Sequence, residues 1–168
     1  MQIRMNQILG IDPGTATTGY GIVRESNKGI EAVAYGVIST PAKMPMELRL
    51  LKIYQELVEI ILLHSPESCA VEKLFFRTNV TTAISVGQSR GVVLLALAQN
   101  NVKLAEYTPL QVKQAVVGYG AAEKKQVQLM VQAILNLSEM PKPDDAADAL
   151  AIAICHFHSK RITDLAEL

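Results

Sequence analysis

The stretch Gln7-Ile8-Leu9-Gly10-Ile11-Asp12-Pro13-Gly14 decides how this chain is read. Ile8 to Ile11 form a short apolar run, and Asp12-Pro13-Gly14 ends it with residues suited to a turn. A brief strand with no polar face belongs in the middle of a sheet, covered on both sides. Two further runs follow. Gly19 to Arg24 reads as a second strand and Ile30 to Ile38 as a third, joined by the hairpin turn Ser26-Asn27-Lys28-Gly29.

The period then changes from two to that of a helix. Leu48, Leu51, Val58, Ile61 and Leu62 are placed on one helical face, which stops at His64-Ser65-Pro66. Cys69 to Leu74 returns to strand. Asn79 to Gln99 reads as a long helix carrying Gly87 and Gly91 four apart, a spacing that admits another backbone at close range. Val102 to Tyr107 is the fifth strand, and Thr108-Pro109 is a cap with proline at the first helical position. Val127, Met130, Val131 and Ile134 mark a further amphipathic helix. A last one runs from about Asp144 to His158, with Leu150, Ile154 and Phe157 on one face. The order β-β-β-α-β-α-β-α-α-α predicts an α/β fold: a mixed five-stranded sheet flanked by helices, as one domain over residues 1–168.

Composition narrows the partners. Hydrophobic residues are 49% of the 168 and charged residues 19%, which supplies a core and excludes disorder. Lys plus Arg and Asp plus Glu number 16 each, so no global field draws in a polyanion; any nucleic-acid contact needs a local basic patch. Cys69 and Cys155 both sit in apolar runs, without a Cys-x-x-Cys pair, and read as core thiols. The N-terminus lacks a signal-peptide pattern and no run approaches the ~20 apolar residues of a membrane span. A cytoplasmic protein without a membrane partner is the expectation.

Four carboxylates stand where apolar residues or simple caps would serve. Asp12 closes the first strand, Glu72 lies within the apolar segment Ala70-Val71-Glu72-Lys73-Leu74, and Asp145 and Asp148 open the last helix three apart, on one face. Each alone has a bland explanation as turn, solvent-facing strand residue or cap. Together they have another. If the first and fourth strands are neighbours, their ends share an edge, and a helix packed nearby adds two acids. Carboxylates ~5 Å apart repel by on the order of 3 kcal/mol at an effective dielectric of ~20. A divalent cation relieves that, and oxygen-only ligands select Mg2+, with Mn2+ as a substitute. A pair of such ions suits phosphodiester cleavage, one activating water and the other stabilising the leaving oxygen. His156 and His158 lie more than a turn beyond Asp148 and read as surface or helix-terminal residues. A strand ending in Asp-x-Gly-Thr also resembles the first phosphate loop of actin-like ATPases and sugar kinases, but those need two lobes. No P-loop sequence is present.

Taken in order, the segments resemble the RuvC family of crossover junction endodeoxyribonucleases. They are Ile8 to Gly14 with Thr18-Gly19-Tyr20-Gly21; Val71-Glu72-Lys73-Leu74-Phe75; Gly87-Gln88-Ser89-Arg90-Gly91; Gln111-Val112-Lys113-Gln114; Glu123-Lys124; and Asp145-Ala146-Ala147-Asp148-Ala149-Leu150-Ala151. The resemblance implies an RNase H-like fold, a homodimer, and Mg2+-dependent cutting of four-way Holliday junctions at symmetric positions in recombination and repair, beside the RuvA–RuvB branch-migration complex. By the same resemblance Asp12, Glu72, Asp145 and Asp148 match the catalytic, metal-holding acids. Phe75 matches an aromatic that contacts junction bases, and Lys113 and Lys124 match basic residues used in DNA binding or catalysis.

Lys124 and Lys125 open a helix, where a cation opposes the helix dipole, a placement that makes more sense with phosphate nearby. With Lys113 they are the expected phosphate contacts, joined by Arg77 and Arg90. Two alternatives stay open: a more general nuclease of the same fold, such as the YqgF-like relatives, and a non-enzymatic junction binder, for which clustered acids would have no use. The helix with Gly87 and Gly91 is the first candidate for a dimer interface; otherwise the glycines accommodate the sheet beneath.

Overall fold

The computed structural model describes residues 6–73 and 80–166. Its strands are β1 (Gln7–Asp12), β2 (Thr17–Ser26), β3 (Gly29–Ser39), β4 (Ser68–Glu72) and β5 (Lys103–Tyr107). The helices are α1 (Met46–His64), α2 (Val80–Gln99), α3 (Pro109–Val117), α4 (Lys124–Ile134) and α5 (Asp144–Ala166). The expected element order is the observed one. The five strands lie in the order β3-β2-β1-β4-β5, with β1 antiparallel to β2, β2 antiparallel to β3, and β4 parallel to both β1 and β5. Since β1 is central and β4 runs beside it in the same direction, Asp12 and Glu72 emerge at one edge of the sheet.

Side-chain alternation along β1 divides the core. Ile8 packs with α3, α4 and α5 residues such as Val112, Val131 and Leu150, whereas Leu9 and Ile11 face the α1 and α2 side with Ile53, Leu57 and Val93. Gly10 points toward α5. A Cβ there would overlap the Ala149 carbonyl oxygen and lie 2.7 Å from the Ala153 backbone nitrogen. A Cβ at Gly19 on β2 would likewise overlap the Asp145 carbonyl oxygen. Helix and sheet backbones therefore touch, with alanines at 146, 147, 149, 151 and 153 all buried in α5.

Several expectations change. Helix α1 buries Ile53, Leu57 and Ile61, while Leu48 and Leu51 are each 48% exposed and Leu62 is 66% exposed. Leucines occur all round this helix, so the sequence pattern did not select the face that packing selects. By length and composition alone α2 is long and apolar enough to cross a membrane, although Thr, Ser, Gln and Arg interrupt its apolar residues. In this fold it lies against α1 and buries Ser89, Val93, Ala96 and Leu97. The two cysteines are buried and free, as expected.

His156 is not a surface residue. Its Nδ1 lies 2.8 Å from Tyr107 Oη on β5, and its Nε2 lies 3.0 Å from Ser68 Oγ on β4. Burial holds its pKa below the ordinary value, with Lys160 adding to the effect and Glu67 opposing it. A neutral imidazole has one donor and one acceptor, which suits two hydroxyl partners. The residue thus ties the C-terminal half of α5 to two strands. The polar run His158-Ser159-Lys160 just beyond it hid this in the sequence.

Gly10→Ala tests the helix-on-sheet contact. It should lower the unfolding free energy by about 1–3 kcal/mol, because the new methyl meets backbone that cannot rotate away. Urea unfolding followed by circular dichroism reads this; an unchanged midpoint would show that α5 can stand farther off.

Candidate active site

Asp12 ends β1, Glu72 ends β4, and Asp144, Asp145 and Asp148 occupy the first turns of α5. A helix N-terminus favours carboxylates through its dipole, so α5 accepts this concentration of acid where a strand would not. The Gly19 contact brings the first turn of α5 down beside the end of β1, since Gly19 is the register partner of Asp12. As a result one carboxylate oxygen from each of Asp12, Asp145 and Asp148 lies within 4.8 Å of the others. Glu72 is not part of that closest group. It shares with Asp12 and Asp148 a cleft of about 280 Å3 lined also by Lys113 and Lys124.

Burial is the first cause of the unusual acidity. Asp12 is pushed up to about 7, by burial first and then by the charges of Asp148, Glu72 and Asp145, with Lys124 opposing. Glu72 is raised by burial and by Asp148, against Lys113. Asp148 is raised by burial although Lys124 draws it the other way. Lys124 Nζ lies 3.1 Å from Asp148 Oδ2 and 3.4 Å from Asp144 Oδ2. Burial lowers the Lys124 pKa, but its hydrogen bond and attraction to Asp148, joined by Asp144, more than offset this and leave it raised. One lysine cannot balance the cluster. The donor set is oxygen only, closely spaced and mutually repelling, which fits a hard divalent cation.

Of the basic residues expected to meet DNA, Lys113 on α3 and Lys124 at the start of α4 border the acidic cleft. Lys125 is exposed and does not line it. At the N-terminus of α4 the Gln126 side-chain oxygen accepts the Glu123 backbone N–H at 2.8 Å. Arg90 is turned toward the sheet: Nη1 donates to the Glu72 carbonyl oxygen at 2.8 Å, and Nη2 donates to the Glu106 carboxylate. Phe75 and Arg77 lie outside the described residues. Two residues at the site were not singled out from the sequence. Asp144 precedes the Asp145–Asp148 pair and adds no spacing signal of its own, and Glu106 is a single acid near the end of the strand Val102 to Tyr107 with no motif around it.

Comparison with known proteins gives a consistent family. A sequence model described as "Crossover junction endodeoxyribonuclease RuvC" matches residues 8–156. The crossover junction endodeoxyribonuclease RuvC of Syntrophomonas wolfei is 58% identical over 161 residues, covering 96% of this chain and 94% of that one. The structure of Thermus thermophilus RuvC superposes with a TM-score of 0.87 at 38% identity, covering 94% of this chain and 96% of that one. The T. thermophilus RuvC solved in complex with Holliday junction substrate gives 0.85 at 35% identity, covering 93% and 96%. The α/β arrangement is thus that of RNase H-like resolvases.

The raised Asp12 pKa predicts an inverse effect of pH on stability in chelator. The folded state keeps a proton that the unfolded chain releases near pH 3.8, so stability falls as pH rises from about 4 through about 7. The loss is on the order of 4 kcal/mol. Asp12→Asn removes this titration. In chelator it should raise the melting temperature at pH 8 and change it little at pH 4, by scanning calorimetry; an equal shift at both would break the link to ionisation.

Proposed function

The chain belongs to the RuvC family of crossover junction endodeoxyribonucleases, and from that premise we propose that it cuts four-way DNA junctions at symmetric positions by divalent-cation-dependent phosphodiester hydrolysis. The observation that carries the proposal is the carboxylate group Asp12, Asp145 and Asp148, with oxygens within 4.8 Å, facing Glu72 across a cleft edged by lysines. Asp12, Glu72, Asp145 and Asp148 would hold Mg2+ or Mn2+, two ions per site. Bound cations supply a Lewis acid and lower the pKa of water.

The protein groups have separate tasks. Asp12 and Glu72 on neighbouring strands form one wall, and Asp145 and Asp148 approach from the helix above. This arrangement presents negative charge to cations from several sides while each carboxylate stays on a rigid element. Lys124 compensates Asp148 and stands at the rim, where a scissile phosphate would enter; Lys113 does the same opposite Glu72. Lys125 extends that positive edge. Phe75 and Arg77 complete the proposed DNA contacts, with stacking as the task of Phe75; Arg90, expected beside them, is instead held by the Glu72 carbonyl and the Glu106 carboxylate.

A junction presents two equivalent strands, and a second copy of the chain supplies the second site. The homodimer is best placed on α2. Among the described residues, added Cβ atoms at Gly87 and Gly91 would meet nothing within 4 Å, so these glycines do not make room for this chain's own sheet. They share a helical stripe with Val80, Ile84 and Leu95, which are 77%, 59% and 60% exposed. Small residues flanked by exposed apolar ones suit close packing of a symmetry-related helix. Action beside RuvA–RuvB in the cytoplasm belongs to the same proposal and rests on family membership.

Asp12→Asn should reduce junction cutting in Mg2+ to background while binding stays equal or tightens, since one negative charge facing phosphate is lost. Cleavage of a four-way junction against a plain duplex of the same sequence reads both this and the choice between resolvase and general nuclease. Near-normal cutting by the variant would end the assignment. Lys124→Ala should make the logarithmic salt dependence of binding shallower by about 0.9. Gly91→Leu should fold, because its side chain points into open space, but sediment as a monomer that cuts poorly; a dimer of normal activity would move the interface elsewhere.

A further inference from the structure

Glu72 stands at a strand end that the sheet holds from one side. The β1–β4 ladder ends one residue earlier, at Ile11 with Val71, so Glu72 is paired in the sheet with Tyr107 of β5 alone. The next backbone N–H, that of Lys73, donates to the Tyr107 carbonyl at 2.7 Å, and the chain then leaves the strand. Meanwhile burial and the charge of Asp148 both disfavour a carboxylate at this point. The pairing with β5 alone leaves the position of this peptide to be set by whatever else holds its carbonyl.

One side chain does so. Arg90, 18 residues further along and midway through α2, donates from Nη1 to the Glu72 carbonyl at 2.8 Å and from Nη2 to the Glu106 carboxylate. Glu106 is on β5, one residue before Tyr107, so the guanidinium spans the ends of two adjacent strands. The Arg90 side chain is only 13% exposed, against 38% for Glu106. Its fork is directed at protein acceptors, and Glu106 neutralises its charge. An arginine so placed adds little field to the DNA face, but it fixes the peptide from which the Glu72 side chain departs.

We propose that Arg90 is a positioning residue: with Glu106 it clamps the carbonyl of Glu72 and so sets where that carboxylate stands relative to Asp12 and Asp148. This rests on the metal-dependent reading of the cleft. It assigns Arg90 a task different from the phosphate contact expected of it, and it gives Glu106 a part in the site although Glu106 does not line the cleft. Planar, two-pronged donation is required, because two acceptors on different strands must be held at once.

The test uses the full chain with Arg90→Gln, Glu106→Gln and the double variant. Mn2+ binding is measured by titration calorimetry without DNA, junction binding in chelator over a range of salt, and cleavage as a function of Mg2+. Loss of a supporting partner of a metal-binding group should weaken Mn2+ binding by about tenfold or more in each single variant. The double variant should be no weaker than the worse single one, since both remove the same clamp. Junction binding and its salt slope should be unchanged, and cutting should recover as Mg2+ is raised. If Arg90 instead contacts phosphate, Arg90→Gln flattens the slope by about 0.9. In that case Glu106→Gln, by freeing the cation, tightens junction binding, and neither changes Mn2+ affinity; that pattern overturns the proposal. So does a fall in melting temperature with unaltered Mn2+ binding, the mark of a purely structural bond. Glu106→Gln keeps shape at a partly exposed site and therefore remains readable should Arg90→Gln fail to fold. A parent protein that binds Mn2+ but leaves junctions uncut would defeat the proposed function alone. Equal Mn2+ affinity in parent and variants would defeat the clamp alone.

Discussion

Backbone contact between α5 and the sheet is the constraint on which the molecule depends. At Gly10 and Gly19 there is no room for even a methyl group between the strand and the helix carbonyls of Ala149 and Asp145. A helix normally rides on a layer of side chains about 10 Å above a sheet. Removing that layer lowers α5 until its first turn lies level with the end of β1, and only then can aspartates on the helix share a site with one on the strand. Farther along, His156 holds the same helix to Ser68 and Tyr107. The helix is fixed near both ends of its buried length, so neither its height nor its slide along the sheet is free.

The acidic cluster is a cost imposed on that rigid frame. Asp12, Glu72 and Asp148 all have raised pKa values, with burial the leading cause in each. In a softer scaffold they would move apart. Here the helix dipole, Lys124 and the glycine contacts keep Asp145 and Asp148 in place, and the Arg90–Glu106 pair reaches the end of β4. Stability is given up locally so that cations and a phosphate can be received with little rearrangement. The neutral total charge has the same logic. The 16 basic and 16 acidic residues cancel overall, and within the cleft Lys113 and Lys124 stand beside the acids.

The sequence by itself determined the order of strands and helices, because hydrophobic period and turn chemistry are local. It also singled out Asp12, Glu72, Asp145 and Asp148, whose residue type conflicts with their apolar surroundings. It could not determine which face of α1 is buried, since leucines surround that helix and only the sheet's position selects Ile53, Leu57 and Ile61. Nor could it place His156 in the core or turn Arg90 away from solvent. Those outcomes depend on partners 49 to 88 residues away for the histidine, and on 16 and 18 for the arginine. The closest carboxylate group, three aspartates with Glu72 across the cleft, was likewise decided by tertiary structure alone. Period and spacing fix which way a residue points along its own element; the distance between two elements is set by what lies between them, and here that is the absent side chains of Gly10 and Gly19.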